Sequence, residues 1–243
     1  MDQGIDVLLN HTSIRKYKDL PIDQKTKEII IKSSQMAPSS SHFQAYTMIE
    51  IQNKELRKMF FDISGGQRWI ETAPLVILYC ADLNRAEQYF EGVDRKVLSN
   101  LESYTVAVAD AAIAMQKGFL AAQMMGLGGV VVGGIRNDVK TICERLKLPP
   151  KVAPLFLLCL GYPDETVGLK PRLPVEAVCH IDGYNNDQDA SIHVYNEQVR
   201  QYYLERSGGK ISEDWSQRCG RLLMAKTRYE VGNVFREKGL ATE

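Results

Sequence analysis

The chain has 243 residues, 44% of them hydrophobic, 25% charged and 8% aromatic, which suffices to bury a substantial core. That profile excludes a disordered chain, a collagen-like chain and a disulfide-stapled miniprotein. Thirty Lys plus Arg balance thirty Asp plus Glu, so no global field draws the chain to nucleic acid or an anionic membrane, and neither is expected as a partner.

Met1 to Leu9 has no basic start followed by an apolar run, so no secretory signal is read and the cytoplasm is the expected address. Asp23 to Met36 reads as a helix, with Asp23 as N-cap and Ile29, Ile30 and Ile31 among Lys and Glu. Ala37-Pro38-Ser39-Ser40-Ser41 breaks it. Ala45 to Ile51 alternates like a strand, Asn53 caps a helix reaching about Ile63, and Ser64-Gly65-Gly66 stops that helix. Pro74 to Ala81 is a continuous apolar run of the kind found in central strands. Leu83 to Asn100 is charged and expected to be helical.

Tyr104 to Met125 is apolar on nearly every side, with only Asp110 and Lys117 charged. Such a helix is expected to be buried on nearly every side, against its own sheet and against a second copy of the chain. Gly128 to Gly134 is β-rich, Asn137 to Leu146 reads as a helix, and Ala153 to Gly161 as another buried strand. After the loop Lys170-Pro171-Arg172-Leu173-Pro174 the chain is polar and mainly helical, with nine Lys or Arg against six Asp or Glu over residues 200–243. The elements add up to an α+β fold, expected to be a single domain over 1–243 with a helical extension over about 180–243.

The five cysteines, Cys80, Cys143, Cys159, Cys179 and Cys219, contain no C-x-x-C pair and suit a reducing compartment. Cys80 and Cys159 read as small buried hydrophobes. Gly126 to Gly134 invites a dinucleotide-binding reading, but helix precedes strand and Val131 takes the third glycine position, so that reading fails. A helix C-cap leading into a strand accounts for Gly126 and Gly128. Gly133 and Gly134 stay candidates for close approach by a flat ligand. No hydrolase motif is present, and the four histidines have no metal-ligand spacing, so no metal site is expected.

Three clusters carry complementary chemistry. His11-Thr12-Ser13-Ile14-Arg15-Lys16 gathers donors around an apolar anchor. Pro38 to Gln44 is a hydroxyl-rich loop ending in an amide. Lys170-Pro171-Arg172 presents two cations in a proline-stiffened loop. Guanidinium forks and ammonium groups suit a phosphate monoester, and hydroxyls with Gln44 or Gln67 suit the edge of a heteroaromatic ring.

These clusters occur in order with Gly65-Gly66-Gln67, Gly133-Gly134-Ile135-Arg136-Asn137, Tyr202-Tyr203-x-x-Arg206 and Trp215-Ser216. The series resembles the oxygen-insensitive NADPH-dependent nitroreductases and NADPH–FMN flavin reductases, from His11 to about Gly239. That resemblance implies a mixed, mainly antiparallel sheet flanked by helices, in an interlocked homodimer with FMN at the subunit interface. It implies that His11, Ser13, Arg15, Lys170 and Arg172 hold the FMN phosphate. Ser39, Ser40, Ser41 and Gln67 would line the ribityl chain and ring edge, and Val131, Val132, Gly133 and Gly134 would pass along the ring. NADPH would donate hydride to the flavin and leave, and a nitroaromatic, quinone, azo or free-flavin acceptor would then take two electrons. The flavin carries the chemistry, so no catalytic side chain is assigned.

Further positions follow from the same resemblance. His42 and Phe43 would meet the acceptor, Arg206 and Lys210 the NADPH phosphate, and Arg228 the mouth of the site. Thr12 stands where a further donor is usual, His42 where an aromatic ring is usual, and Ile211 where a second basic residue is usual. NADH use is therefore left open beside NADPH. Two alternatives are kept: a flavin reductase that supplies free reduced FMN to a partner, and a flavin-binding redox sensor with little turnover.

Overall fold

In the computed structural model, which describes residues 3–225 and 228–242, the apolar runs satisfy their backbone hydrogen bonds in one four-stranded sheet. Its strands are β1 (Tyr46–Glu50), β2 (Leu75–Asp82), β3 (Gly128–Val132) and β4 (Val152–Gly161), in the order β1-β2-β4-β3. All three pairings are antiparallel. The two central strands are the ones with continuous apolar sequence, because helices and loops cover both of their faces. Every residue of β2 is buried, and so is every residue of β4 except Phe156.

The helices are α1 (Gln3–Leu9), α2 (Gln24–Gln35), α3 (Lys54–Ile63), α4 (Trp69–Thr72), α5 (Asn84–Tyr89), α6 (Leu101–Met124) and α7 (Val139–Arg145), followed by α8 (Asp189–Ser207), α9 (Trp215–Ala225) and α10 (Glu230–Glu237). The expected caps form: Asp23 accepts from the Thr26 N–H and Asn53 from the Leu56 N–H. The segment from Leu83 to Asn100 is not the continuous helix expected from its charge pattern. Only α5 and a 3-10 turn at Val97–Ser99 form, because Gly92 takes a left-handed φ of 72° and few side chains between them find a core. α1 was not expected, and it leaves Ile5, Leu8 and Leu9 exposed.

α6 is the organising helix. Ala107, Asp110, Ala111, Ala114, Met115, Gly118, Phe119 and Ala122 are buried on one face, while Ile113 and Met124 are exposed on another. Among the described residues it is the one helix long and apolar enough to cross a membrane by length and composition. Gly126, with φ 79°, ends it in a left-handed turn closed by the Leu127 N–H on the Ala122 carbonyl. Gly128 opens β3 as the cap-then-strand reading expects, and a Cβ there would meet the Ile14 side chain at 2.6 Å.

The described residues fall into two units. The larger runs up to Val167 and resumes at Arg228, with the sheet between two apolar clusters and with Val234, Phe235 and Leu240 from the chain's end in its core. The smaller begins at Gly168 and has its own small core of Tyr195, Val199 and Tyr203, against which Leu173, Ile211 and Trp215 pack.

Candidate functional site

The first cluster is an extended strip stitched to the sheet. The Ile14 N–H donates to the Gly129 carbonyl at 2.9 Å, and the Lys18 N–H to the Tyr162 carbonyl at 2.9 Å. Glu165, unassigned from sequence, accepts the N–H groups of Arg15 and Lys16 at 2.5 and 2.9 Å. With Ile14 buried inward, the Arg15 side chain is left exposed. Its guanidinium lies 5.3 Å from the Trp69 ring centroid and donates to the Ser13 carbonyl at 3.3 Å. His11 sits edge-on to Phe119 and has Nδ1 3.2 Å from Gln123 Nε2.

Gln67 precedes α4 and donates to the Ser64 carbonyl at 2.9 Å. A Cβ on Gly134 would stand 2.7 Å from Gln67 Nε2, so Gln67 and Gly134 are packed together. Val131 is 38% exposed between buried Val130 and Val132, so its side chain is the one that β3 turns outward. Arg136, given no role from sequence, lies against Gly133 and donates to the Leu155 carbonyl at 2.6 Å. Arg228 donates through Nε to Asn137 Oδ1 at 2.8 Å. Gln67 thus packs against Gly134 just past the end of β3, while the strip carrying Arg15 is bonded to Gly129 near its start.

The serine loop is strained. Ser41, His42 and Gln44 have φ of 47°, 59° and 53°, in the left-handed region. It is held by Asp110, which accepts the Ser40 N–H at 3.2 Å and the Ala45 N–H at 3.0 Å. In the sequence Asp110 stands out only as a lone acid in an apolar helix, and that oddity is the available signal. His42 Nε2 is 3.3 Å from Gln44 Nε2, and His42, Phe43 and Gln44 line a cavity of 570 Å³ together with Arg85 and Phe90. Asp110 and the residues His11 touches lie nine and thirteen positions apart on α6. At ~1.5 Å and 100° per residue they are roughly 14–20 Å apart along the axis, on opposite margins of its buried face. One chain does not bring its serine loop to its own His11–Arg15 strip.

In the smaller unit Lys170 Nζ is 5.7 Å from the Tyr203 ring centroid, and Arg172 donates to the Lys170 carbonyl at 2.8 Å. Tyr195 OH donates to the Pro171 carbonyl at 3.2 Å, which docks this loop on α8. Arg206 is exposed and donates to Tyr202 OH at 2.6 Å, and Lys210 is exposed. Ile211 packs on the Tyr195–Tyr203 core, which is the structural use of an apolar residue at that position.

Each unit taken by itself offers donors of the kind that suit a phosphate-bearing ring cofactor such as the FMN implied by the resemblance. Arg15, Lys170 and Arg172 bond only to carbonyls or lie by rings, with no carboxylate in ion-pair reach among the described residues, so their charges are available to an anion. Ser64 Oγ and Trp69 Nε1 are buried without a partner beside Gln67 and Arg15. No group of three or more His, Cys, Asp or Glu able to hold a metal occurs among the described residues.

Residues 8–162 match the model of the nitroreductase family, and residues 170–243 that of the nitroreductase family C-terminal domain. The chain is 40% identical over 222 residues to an FMN reductase [NAD(P)H] of Bacillus subtilis, covering 89% of each chain. It is 36% identical to an oxygen-insensitive NADPH nitroreductase of Salmonella typhimurium, covering 100% of both. The solved structure of the NfrA1 nitroreductase of B. subtilis superposes with a TM-score of 0.96 at 35% identity, over 99% of this chain and 100% of that one.

Proposed function

Because the chain belongs to the nitroreductase family, we propose that it is an FMN-dependent NAD(P)H oxidoreductase passing two electrons to nitroaromatic, quinone, azo or flavin acceptors. What carries this reading is the strip at His11, Ser13 and Arg15, whose guanidinium lies against Trp69 with no carboxylate in ion-pair reach among the described residues, together with Gln67 packed against Gly134. Bound FMN would supply the redox chemistry, taking hydride from the nicotinamide and passing electrons to the acceptor.

The protein's part is to bind, orient and exclude. Arg15, Lys170 and Arg172 would neutralise the cofactor phosphate, with His11 and Ser13 beside them. Gln67, with one amide N–H given to the Ser64 carbonyl, would turn its carbonyl oxygen or its second N–H to the ring edge, and Val131 to Gly134 would form the wall along the ring. Ser39, Ser40 and Ser41 would offer hydroxyls to the ribityl chain. His42 and Phe43 would meet the acceptor, and Arg206, Lys210 and Arg228 would bind anionic parts of NADPH or acceptor.

The active form in this proposal is a homodimer. The serine loop and the His11–Arg15 strip lie at opposite margins of α6 in one chain, so a second copy is the economical way to close both on one cofactor. Exposed Ile5, Leu8, Leu9, Met36, Ile113 and Met124 supply apolar area for that contact. The proposed compartment is the cytoplasm, in keeping with five free cysteines.

The purified protein should be yellow, lose its visible flavin band on anaerobic addition of NADPH or NADH, and give parallel double-reciprocal lines with a quinone or nitrofuran. A colourless protein indifferent to added FMN would end the proposal. A second reading, release of reduced FMN to a partner, is favoured by the 40% identity to an FMN reductase. A kcat/KM for added FMN above that for a nitrofuran selects it.

A further inference from the structure

The segment that leaves β4 runs alongside the N-terminal strip. The Lys18 N–H donates to the Tyr162 carbonyl at 2.9 Å, Tyr17 faces Pro163 in an antiparallel bridge, and the Asp164 N–H donates to the Lys16 carbonyl at 3.0 Å. Beyond Asp164 a side chain takes over from the backbone. Glu165 Oε1 accepts the Arg15 N–H at 2.5 Å and the Lys16 N–H at 2.9 Å. Two successive N–H groups converging on one oxygen make the small concavity that commonly holds an anion. Here a carboxylate of the chain itself fills it.

Glu165 grips the backbone of Arg15 and leaves its guanidinium alone. Neither side chain takes part in an ion pair among the described residues. The guanidinium turns instead to the Ser13 carbonyl and the Trp69 ring. An acid paired with that guanidinium would cancel the charge a phosphate needs. An acid on the N–H of the same residue fixes where the side chain starts and leaves its charge intact. The carboxylate also opposes an incoming anion, so two effects compete. Repulsion across solvent beside an exposed arginine is weakened by water and salt, whereas the two charge-assisted hydrogen bonds are short and direct. Pre-organisation is the larger effect.

We propose that Glu165 is a positioning residue for the cofactor phosphate: by holding the Arg15 and Lys16 N–H groups it fixes the strip from which Arg15 reaches the anion. This role rests on the FMN reading above.

Fluorescence titration of the flavin-free protein with FMN and with riboflavin, the same ring without the phosphate, tests it. The wild type should prefer FMN. Glu165→Ala should lower that preference about tenfold by raising the FMN Kd, with the riboflavin Kd left in place. Glu165→Gln, which keeps an acceptor oxygen without the charge, should fall between. Because Glu165 acts through Arg15, adding Glu165→Ala to Arg15→Ala should lower the preference little further. Amide exchange over residues 11–18 of the flavin-free protein should also quicken in Glu165→Ala. If that variant does not fold, the near-isosteric Glu165→Gln carries the same comparisons. A preference that rises in Glu165→Gln makes the carboxylate a repulsive charge and overturns the role. So does an equal loss of FMN and riboflavin, or a loss that adds in full to that of Arg15→Ala. A wild-type preference that survives Glu165→Ala removes the role and leaves the reductase reading standing, whereas a wild type that binds neither flavin removes both.

Discussion

Asp110, buried in the middle of α6, accepts the Ala45 N–H at 3.0 Å and through its other oxygen holds the Ser40 N–H at 3.2 Å. A helix side chain thereby fixes both ends of a strained loop. Asp110→Asn keeps one acceptor but turns an NH2 group toward a backbone N–H, and is expected to cost about 2 kcal/mol. That corresponds to roughly 4–8 °C in Tm for a chain of this size. Thermal denaturation followed by circular dichroism measures it, and an unchanged Tm would mean that the loop is held by something else.

Arg15→Ala removes the stacked, unpaired guanidinium of the N-terminal strip. Flavin Kd, read by fluorescence titration of apoprotein, is expected to rise about tenfold to a hundredfold. Arg15→Lys should fall between the two, because it restores the charge but not the fork. An unaltered Kd for Arg15→Ala takes the residue out of the phosphate site.

Gly118 shows two effects pulling in opposite directions. Alanine is the better helix former by about 1 kcal/mol. A Cβ at this position, however, would press on Ser34 Oγ and stand 3.2 Å from the Ile30 carbonyl and 3.3 Å from Tyr79 OH. It would also disturb the buried 3.0 Å hydrogen bond between Ser34 and Tyr79. Overpacking costs about 1–3 kcal/mol, so Gly118→Ala should lower the urea midpoint despite its helix propensity. A raised midpoint would show that α2 yields to the extra methyl.

Burial raises the Cys159 thiol to about 12 and, against an opposing hydrogen bond from Ser34, the Tyr79 phenol to about 12. Burial lifts the Cys80 thiol too. The folded state favours the protonated form of each, so their stabilisation is complete below the ordinary values of 9.0 and 10.0 and is lost as pH rises toward 12. Tm should decline progressively above about pH 9. At pH 8 brief iodoacetamide treatment should modify exposed Cys179 and half-buried Cys219, sparing buried Cys80, Cys143 and Cys159. Early modification of Cys159, read by peptide mass spectrometry, would contradict its burial.

The parts of the fold legible in the sequence are those written in near neighbours. Asp23 and Asn53 mark their helices because a cap is a contact over three residues. β2 and β4 announce themselves because a strand covered on both faces is apolar throughout. The segment after Leu83 misled because charge alone does not make a helix without a core to dock on. Of the candidate site the sequence shows the motifs at His11, Ser39, Gln67, Gly133 and Lys170 and their order, while their meeting on one cofactor is part of the proposal.

By itself the sequence determined which side chains bear charge, hydroxyl or amide, and in what order they occur along the chain. Only the tertiary structure decided that Glu165 holds the strip at Arg15, that Asp110 holds the serine loop, and that Arg228 is braced by Asn137. It also decided that the serine loop and the His11–Arg15 strip take opposite margins of α6. The reason is physical: caps and alternation depend on bonds a few residues long, whereas these contacts span from 65 to 150 residues or depend on the direction in which a helix turns its faces.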